Sequence, residues 1–243
     1  MKVSGKNIVL TGGTTGIGRE MVKQLHEDNQ LLVMASNQSR LDALAAEYPY
    51  IKTHCVDLGS VTEVDAAANA AKSAFSEIDV LINNAAIQFT PRFTDDDFDV
   101  NSIEREIAIN FTSICRLTAH LLPALKASKE SAVINVNSGL ALAPKTTSAV
   151  YCASKAALEN FSRSLRYQLE GTSVAVLQAF LPLVETPMTE GRGNGKMAAS
   201  DAATAVLSGL ENGTTENYIG KSKLLAMLMR IVPPVARNIM KKS

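Results

Sequence analysis

Apolar positions along the chain switch repeatedly between two patterns. Short unbroken apolar runs, rich in β-branched residues, predict buried strands; apolar residues returning every three or four positions predict amphipathic helices. Residues 7–11 predict a first strand, and Ile17, Met21, Val22 and Leu25 a helix behind it. Residues 31–35 predict the second strand, with Leu41, Leu44 and Ala45 marking a helix that ends near Pro49. A third strand is expected over 51–56. Ser60-Val-Thr-Glu63 then has capping-box spacing and opens an alanine-rich helix to about Phe75. Strand four falls at 79–82, a polar, acidic connection at 91–101, and a long helix at 103–126, perturbed at Pro123. Strand five (132–136), the helix carrying Tyr151, and strand six (173–180) complete the alternation. With no repeat and no linker, this predicts one α/β domain: a doubly wound parallel sheet with helices on both faces and ligands at the carboxyl ends of the strands.

Composition narrows the class. The 243 residues are 46% hydrophobic, enough for one sizeable core. Lysine plus arginine (24) equals aspartate plus glutamate (24), so no overall charge draws the chain to nucleic acid. Cys55, Cys115 and Cys152 are scattered, which argues against a disulfide framework and fits a reducing, cytoplasmic setting. His26, His54 and His120 are isolated, so no metal site is expected. The chain enters a strand almost at once, without a signal-peptide pattern, and no apolar run is long enough for a membrane span.

Two short stretches carry chemistry. Gly12-Gly-Thr-Thr-Gly16-Ile-Gly18 sits between a strand and a helix, where glycines let backbone approach a pyrophosphate and the helix N-terminus offers free N–H groups. Further on, Tyr151 and Lys155 lie four residues apart, on one face of a helix, and Ser138 lies thirteen residues before the tyrosine. An ammonium beside a phenol favours the ionised phenol, giving a candidate general acid/base for carbonyl–alcohol interconversion.

Together these stretches resemble the short-chain dehydrogenase/reductase family in its short type, over Lys6 to about Thr186. Thr11-Gly-Gly-Thr-Thr-Gly-Ile-Gly18, Asn83-Asn-Ala-Ala86 (with Ala86 in place of the family's glycine), Asn110, and the trio Ser138, Tyr151 and Lys155 match its motifs in order and separation. Asn-Asn-Ala-Ala-Ile-Gln88, Asn-Ser-Gly-Leu-Ala141 and the basic C-terminal tail look most like the DltE-like bacterial oxidoreductases. The resemblance implies a Rossmann fold and an NAD(P)-dependent oxidoreductase acting on a small carbonyl or alcohol substrate. Tyr151 would be the general acid/base, Ser138 would bind the reacting oxygen, and Lys155 would lower the Tyr151 pKa and hold the nicotinamide ribose. Asn110 would hold a water linking Lys155 to solvent. The implied cofactor contacts are Gly12, Thr14, Thr15, Gly16, Ile17 and Gly18 at the phosphates, and Ser36, Asn37 and Arg40 near the adenosine ribose. Asp57 and Leu58 would meet adenine, and Asn84, Ala85 and Ala86 line the middle. Tyr151, Lys155, Pro182, Val184 and Thr186 would surround the nicotinamide. The family also implies a homodimer or homotetramer. A non-catalytic, NAD(P)-binding redox sensor or scaffold is the alternative; epimerisation of a nucleotide sugar fits longer relatives.

Three regions depart from the family pattern or resist reading. The end of strand two, Ala35-Ser-Asn-Gln-Ser-Arg40, lacks the carboxylate that NAD sites use for the ribose 2′-hydroxyl, which favours NADP over NAD. Leu181-Pro182 replaces the usual Pro-Gly, so the backbone beside the nicotinamide is expected to run differently. Residues 187–200 form a glycine-rich substrate lid in which Arg192 or Lys196 can meet an anionic substrate, or which is a solvated loop. Gln88, Phe89, Leu140 and Leu183 are candidate pocket walls. The tail, 217–243, is apolar and basic; packing or a dimer contact is preferred for it, with covering the pocket or lying on an anionic membrane surface as alternatives.

Overall fold

A computed structural model describes residues 1–242. Seven parallel strands form one sheet: β1 (Asn7–Thr11), β2 (Gln30–Ala35), β3 (Lys52–Cys55), β4 (Val80–Asn83), β5 (Ser131–Ser138), β6 (Val174–Leu181) and β7 (Glu216–Tyr218). Their order across the sheet is β3-β2-β1-β4-β5-β6-β7. The order reverses between β1 and β4, which opens a crevice at the carboxyl ends of those strands. The helices are α1 (Gly16–Leu25), α2 (Gln38–Glu47), α3 (Val61–Ala74), α4 (Asn101–Ile107), α5 (Ser113–Ala127), α6 (Ala149–Gln168), α7 (Ala199–Glu211), α8 (Lys221–Ile231) and α9 (Pro233–Lys241). None of them, among the described residues, is long and apolar enough to cross a membrane.

Successive strand residues point to opposite faces, so each buried strand feeds two cores. Ile8 and Leu10 of β1 pack with Met21, Val22 and Leu25 of α1 and with α2 and α7. Val9 and Leu81 face the other way, onto Val64 and Ala68 of α3, Leu117 and Leu121 of α5 and Leu165 of α6. This double burial explains why the strands read as unbroken apolar runs.

The predicted alternation agrees with this sheet, with local differences. Ser60 accepts the Glu63 backbone N–H, as an N-cap should, but the Glu63 carboxylate accepts the Asp57 N–H (2.8 Å) and so closes no capping box. The long helix starts at Asn101 and is divided into α4 and α5 by a π-helical turn, Ala108–Thr112. Pro123 is accommodated inside α5.

Candidate active site

The crevice is a cavity of about 760 Å³ whose floor is the carboxyl edge of β1, β4, β5 and β6. One end is built from backbone. After β1 the chain turns at Gly12 (φ +73°), where a Cβ would stand 2.8 Å from Ala85 Cα, and a Cβ on Gly18 would collide with the Gly12 carbonyl. Only glycine permits so close an approach. The turn is pinned from β4: Asn84 Nδ2 donates to the Thr11 and Gly12 carbonyls, and Thr11 Oγ1 accepts the Asn84 and Ala85 N–H groups, all at 3.1 Å. Thr14, Thr15, Gly16 and Ile17 carry the wall into the N-terminus of α1. Thr15 makes no side-chain cap, which leaves that helix end facing the cavity. This cradle fits a dinucleotide pyrophosphate.

Beyond it lie Ser36, Asn37 and Arg40. Asn37 caps α2 by accepting the Arg40 N–H (2.9 Å), which fixes the β2–α2 turn. Asp57 and Leu58 close this end. The Asp57 carboxylate accepts from Arg105 Nη1 (2.7 Å) and the Gly59 N–H (2.9 Å). The Arg105 guanidinium outweighs burial and holds that carboxyl below its usual range. Arg105, reaching across from α4, has no signature in the sequence pattern.

The other end is built from side chains. Ser138 ends β5, while Tyr151 and Lys155 occupy the first turns of α6, and all three line the cavity with Ala86, Pro182, Val184 and Thr186. Ser138 Oγ accepts the Leu140 N–H (3.1 Å), and its hydroxyl is within reach of the Tyr151 phenol. Burial pushes the Tyr151 phenol up to about 12, with the Ser138 hydroxyl pulling the other way. Lys155 Nζ, itself brought down to about 8 by burial, donates to the Val136 carbonyl (3.0 Å) and lies 5.7 Å from the Tyr151 ring centroid. The expected lowering of the phenol by the ammonium is therefore not what governs this structure: both groups are desolvated, and desolvation favours the neutral form of each.

Asn110 is the one predicted catalytic or cofactor residue that does not line the cavity. It sits fully buried in the π-helical turn and makes a two-way bond to Ile87, Nδ2 to the carbonyl (2.8 Å) and Oδ1 from the N–H (2.9 Å). Its place is behind the wall, anchoring the segment that follows Ala86 to the helix.

Gln88, Leu140 and Leu183 do form walls, whereas Phe89 lies outside. Arg192 lines the cavity, but Lys196 turns away and donates to the Thr189 carbonyl (2.5 Å). The lid leaves and rejoins the sheet region at a short bridge between Val184 and Met197. Thr186 approaches Gly16 so closely that a Cβ there would lie 2.9 Å from Thr186 Cγ2. The tail, for which packing or a dimer contact was the preferred expectation, covers the pocket: Ser222 and Leu225 of α8 and Met240 of α9 stand in its wall. Lys145, on the loop before α6, also lines it and was not expected.

Residues 6–196 match the family model described as short chain dehydrogenase, and the chain belongs to that family. It is 35% identical over 191 residues to the uncharacterized oxidoreductase DltE of Bacillus subtilis (strain 168), covering 78% of this chain and 76% of the relative. An uncharacterized oxidoreductase of Staphylococcus epidermidis is 30% identical over 214 residues, 86% of this chain and 92% of that one. Among solved structures, a short chain dehydrogenase from Burkholderia cenocepacia J2315 in complex with NADP superposes with a TM-score of 0.89 at 26% identity, covering 99% of both chains.

Proposed function

We propose that the protein interconverts a carbonyl compound and its alcohol, using NADP in preference to NAD. The observation that carries this reading is the continuity of one cavity from the glycine cradle to the wall shared by Ser138, Tyr151 and Lys155. Gly12 to Gly18 and the start of α1 would hold the pyrophosphate, and Asp57 and Leu58 the adenine. Asn84 to Ala86 would flank the ribose, and Pro182, Val184 and Thr186 the nicotinamide. When bound, the cofactor gives or takes the hydride, the step protein side chains cannot supply.

The chain's own groups handle the proton and the developing charge. In reduction, Tyr151 donates its proton to the carbonyl oxygen, and the phenol's position near 12 means that it carries that proton at neutral pH. Ser138 donates a hydrogen bond to the same oxygen as negative charge grows there. Lys155 presents its ammonium beside the phenol and stabilises the phenolate left behind. NADP is favoured because no carboxylate ends β2 to repel a 2′-phosphate, and the exposed Arg40 guanidinium forms no ion pair among the described residues. The NADP-bound relative from Burkholderia supports the same choice.

The decisive experiment is Tyr151→Phe, assayed with NADPH against a panel of aldehydes, ketones and quinones. Turnover is expected to fall by roughly 10²–10⁴-fold, the range for removing a positioned acid or base, while NADPH binding is retained. Wild-type activity in that variant overturns the assignment.

A further inference from the structure

One end of the cavity wall holds an ion pair and the other holds none among the described residues. Asp57 is the only acid in its wall among the described residues, and it is paired with Arg105. Past Tyr151 the wall carries Lys145, Arg192 and Lys221 and no carboxylate. Glu106 is buried behind the wall and accepts the Phe89 N–H (2.9 Å). Lys221 Nζ is engaged by the Gly195 carbonyl (3.3 Å). Lys145 forms no ion pair among the described residues; burial, and then the charge of Arg192, hold its ammonium below the usual range.

Arg192 is held in place by a chain of polar side chains. Its Nη1 donates to Gln88 Oε1 (2.8 Å), and Gln88 Nε2 donates to Ser148 Oγ (3.0 Å). Ser148 is buried and is the only non-glycine residue at positive φ (58°) among the described residues. A left-handed L-residue costs roughly 1–2 kcal/mol, so the fold keeps a strained serine at the foot of this relay. The guanidinium retains further donors, and Leu140, Leu183, Leu225 and Met240 form the apolar remainder of the same end. Two neighbouring cations in a largely apolar recess repel one another and attract an anion strongly, because little solvent screens them. The proposed cofactor phosphates lie elsewhere, at the glycine cradle and near Arg40.

Building on the redox reading, we propose that the substrate is an oxo acid or hydroxy acid. Its carboxylate sits between Arg192 and Lys145, and its apolar chain lies against Leu140, Leu183, Leu225 and Met240. A guanidinium can take a carboxylate through paired N–H donors. Gln88 and Ser148 are positioning residues that aim the guanidinium.

The test uses the NADP-loaded protein and two readouts. Calorimetric titration with hexanoate, which cannot react, is expected to show saturable binding that weakens at least tenfold in Arg192→Gln and in Lys145→Met, with part of the affinity kept in Arg192→Lys. In turnover, a straight-chain oxo acid and its methyl ester are compared, and the acid-to-ester ratio of kcat/KM is expected to fall at least tenfold in Arg192→Gln, chiefly through KM. Gln88→Leu is expected to move the same ratio by less. Hexanoate binding that is absent, or equal in wild type and Arg192→Gln, overturns the proposal. So does an ester handled as well as its acid. Failure of the redox reading is seen separately, as intact hexanoate binding with no carbonyl compound turned over.

Discussion

Around Gly12 and Gly18 the cavity wall is backbone, pinned by the Asn84 and Thr11 side chains; around Arg192 it is side chains held by other side chains. At the first end, glycine contacts with Ala85 and with a neighbouring carbonyl leave no room for variation. At the second, Gln88, Ser148 and residues from α8 and α9 converge from remote parts of the chain. The glycine end therefore tolerates little change. The substrate end can be rebuilt one side chain at a time without disturbing the sheet.

That contrast can be broken most sharply by adding atoms at glycines of the two ends. Gly18→Val has to push a branched side chain into the Gly12 carbonyl, so loss of NADPH binding and of most folded protein is expected by calorimetry and thermal melting. Gly191→Ala in the lid meets nothing within 4 Å and suffers only from its φ of +70°, a cost of about 1 kcal/mol. Equal damage from both would erase the distinction.

A smaller effect concerns Lys155, where the two ends meet. Its ammonium sits at about 8 in the folded protein against 10.5 ordinarily. Between those values the unfolded chain binds more protons than the folded one, so the lysine makes stability rise with pH across that window. The Tyr151 phenol, raised from 10 to about 12, acts in the opposite sense and at higher pH. Thermal melts from pH 8 to 10.5 are expected to show wild type gaining on Lys155→Met as pH increases. A constant difference would mean that the lysine is solvated.

The smallest change tests the adenosine end alone. Ser36→Asp places a carboxylate at the end of β2, and the ratio of specificity constants is expected to move at least tenfold from NADPH toward NADH. An unaltered ratio would show that Ser36 and its neighbours do not read the 2′-phosphate.

Much of the fold was legible because the strands are buried on both faces and the motifs are local. Ile8, Val9 and Leu10 advertise a strand without reference to any distant residue, and Gly12 to Gly18 advertise a turn. The Ser138, Tyr151 and Lys155 spacing was readable for the same reason. Asn110 was legible as a motif position, but the π-helical turn that sets its amide on Ile87 leaves no mark in hydrophobic periodicity. Lys145, Leu225 and Met240 enter the wall only through tertiary packing, which spacing cannot report. Helix α7 does carry helical spacing in Ala202, Val206 and Leu210, yet its small residues make a quiet signal beside the motifs. Glu63 had the right spacing for a capping box, but the Asp57 N–H was the better-placed donor.

The bridge at Val184 and Met197 limits how far the segment between them can travel. Met197 N–H donates to the Leu183 carbonyl (3.0 Å) and its carbonyl accepts the Glu185 N–H (2.8 Å), so residues 185–196 are a flap with both feet fastened. The entropy of bringing those feet together is lost once, when the chain folds, and not again at each encounter. Gly191, Gly193 and Gly195 within the flap all hold positive φ, and the fastened feet keep Arg192 on a short leash beside Gln88.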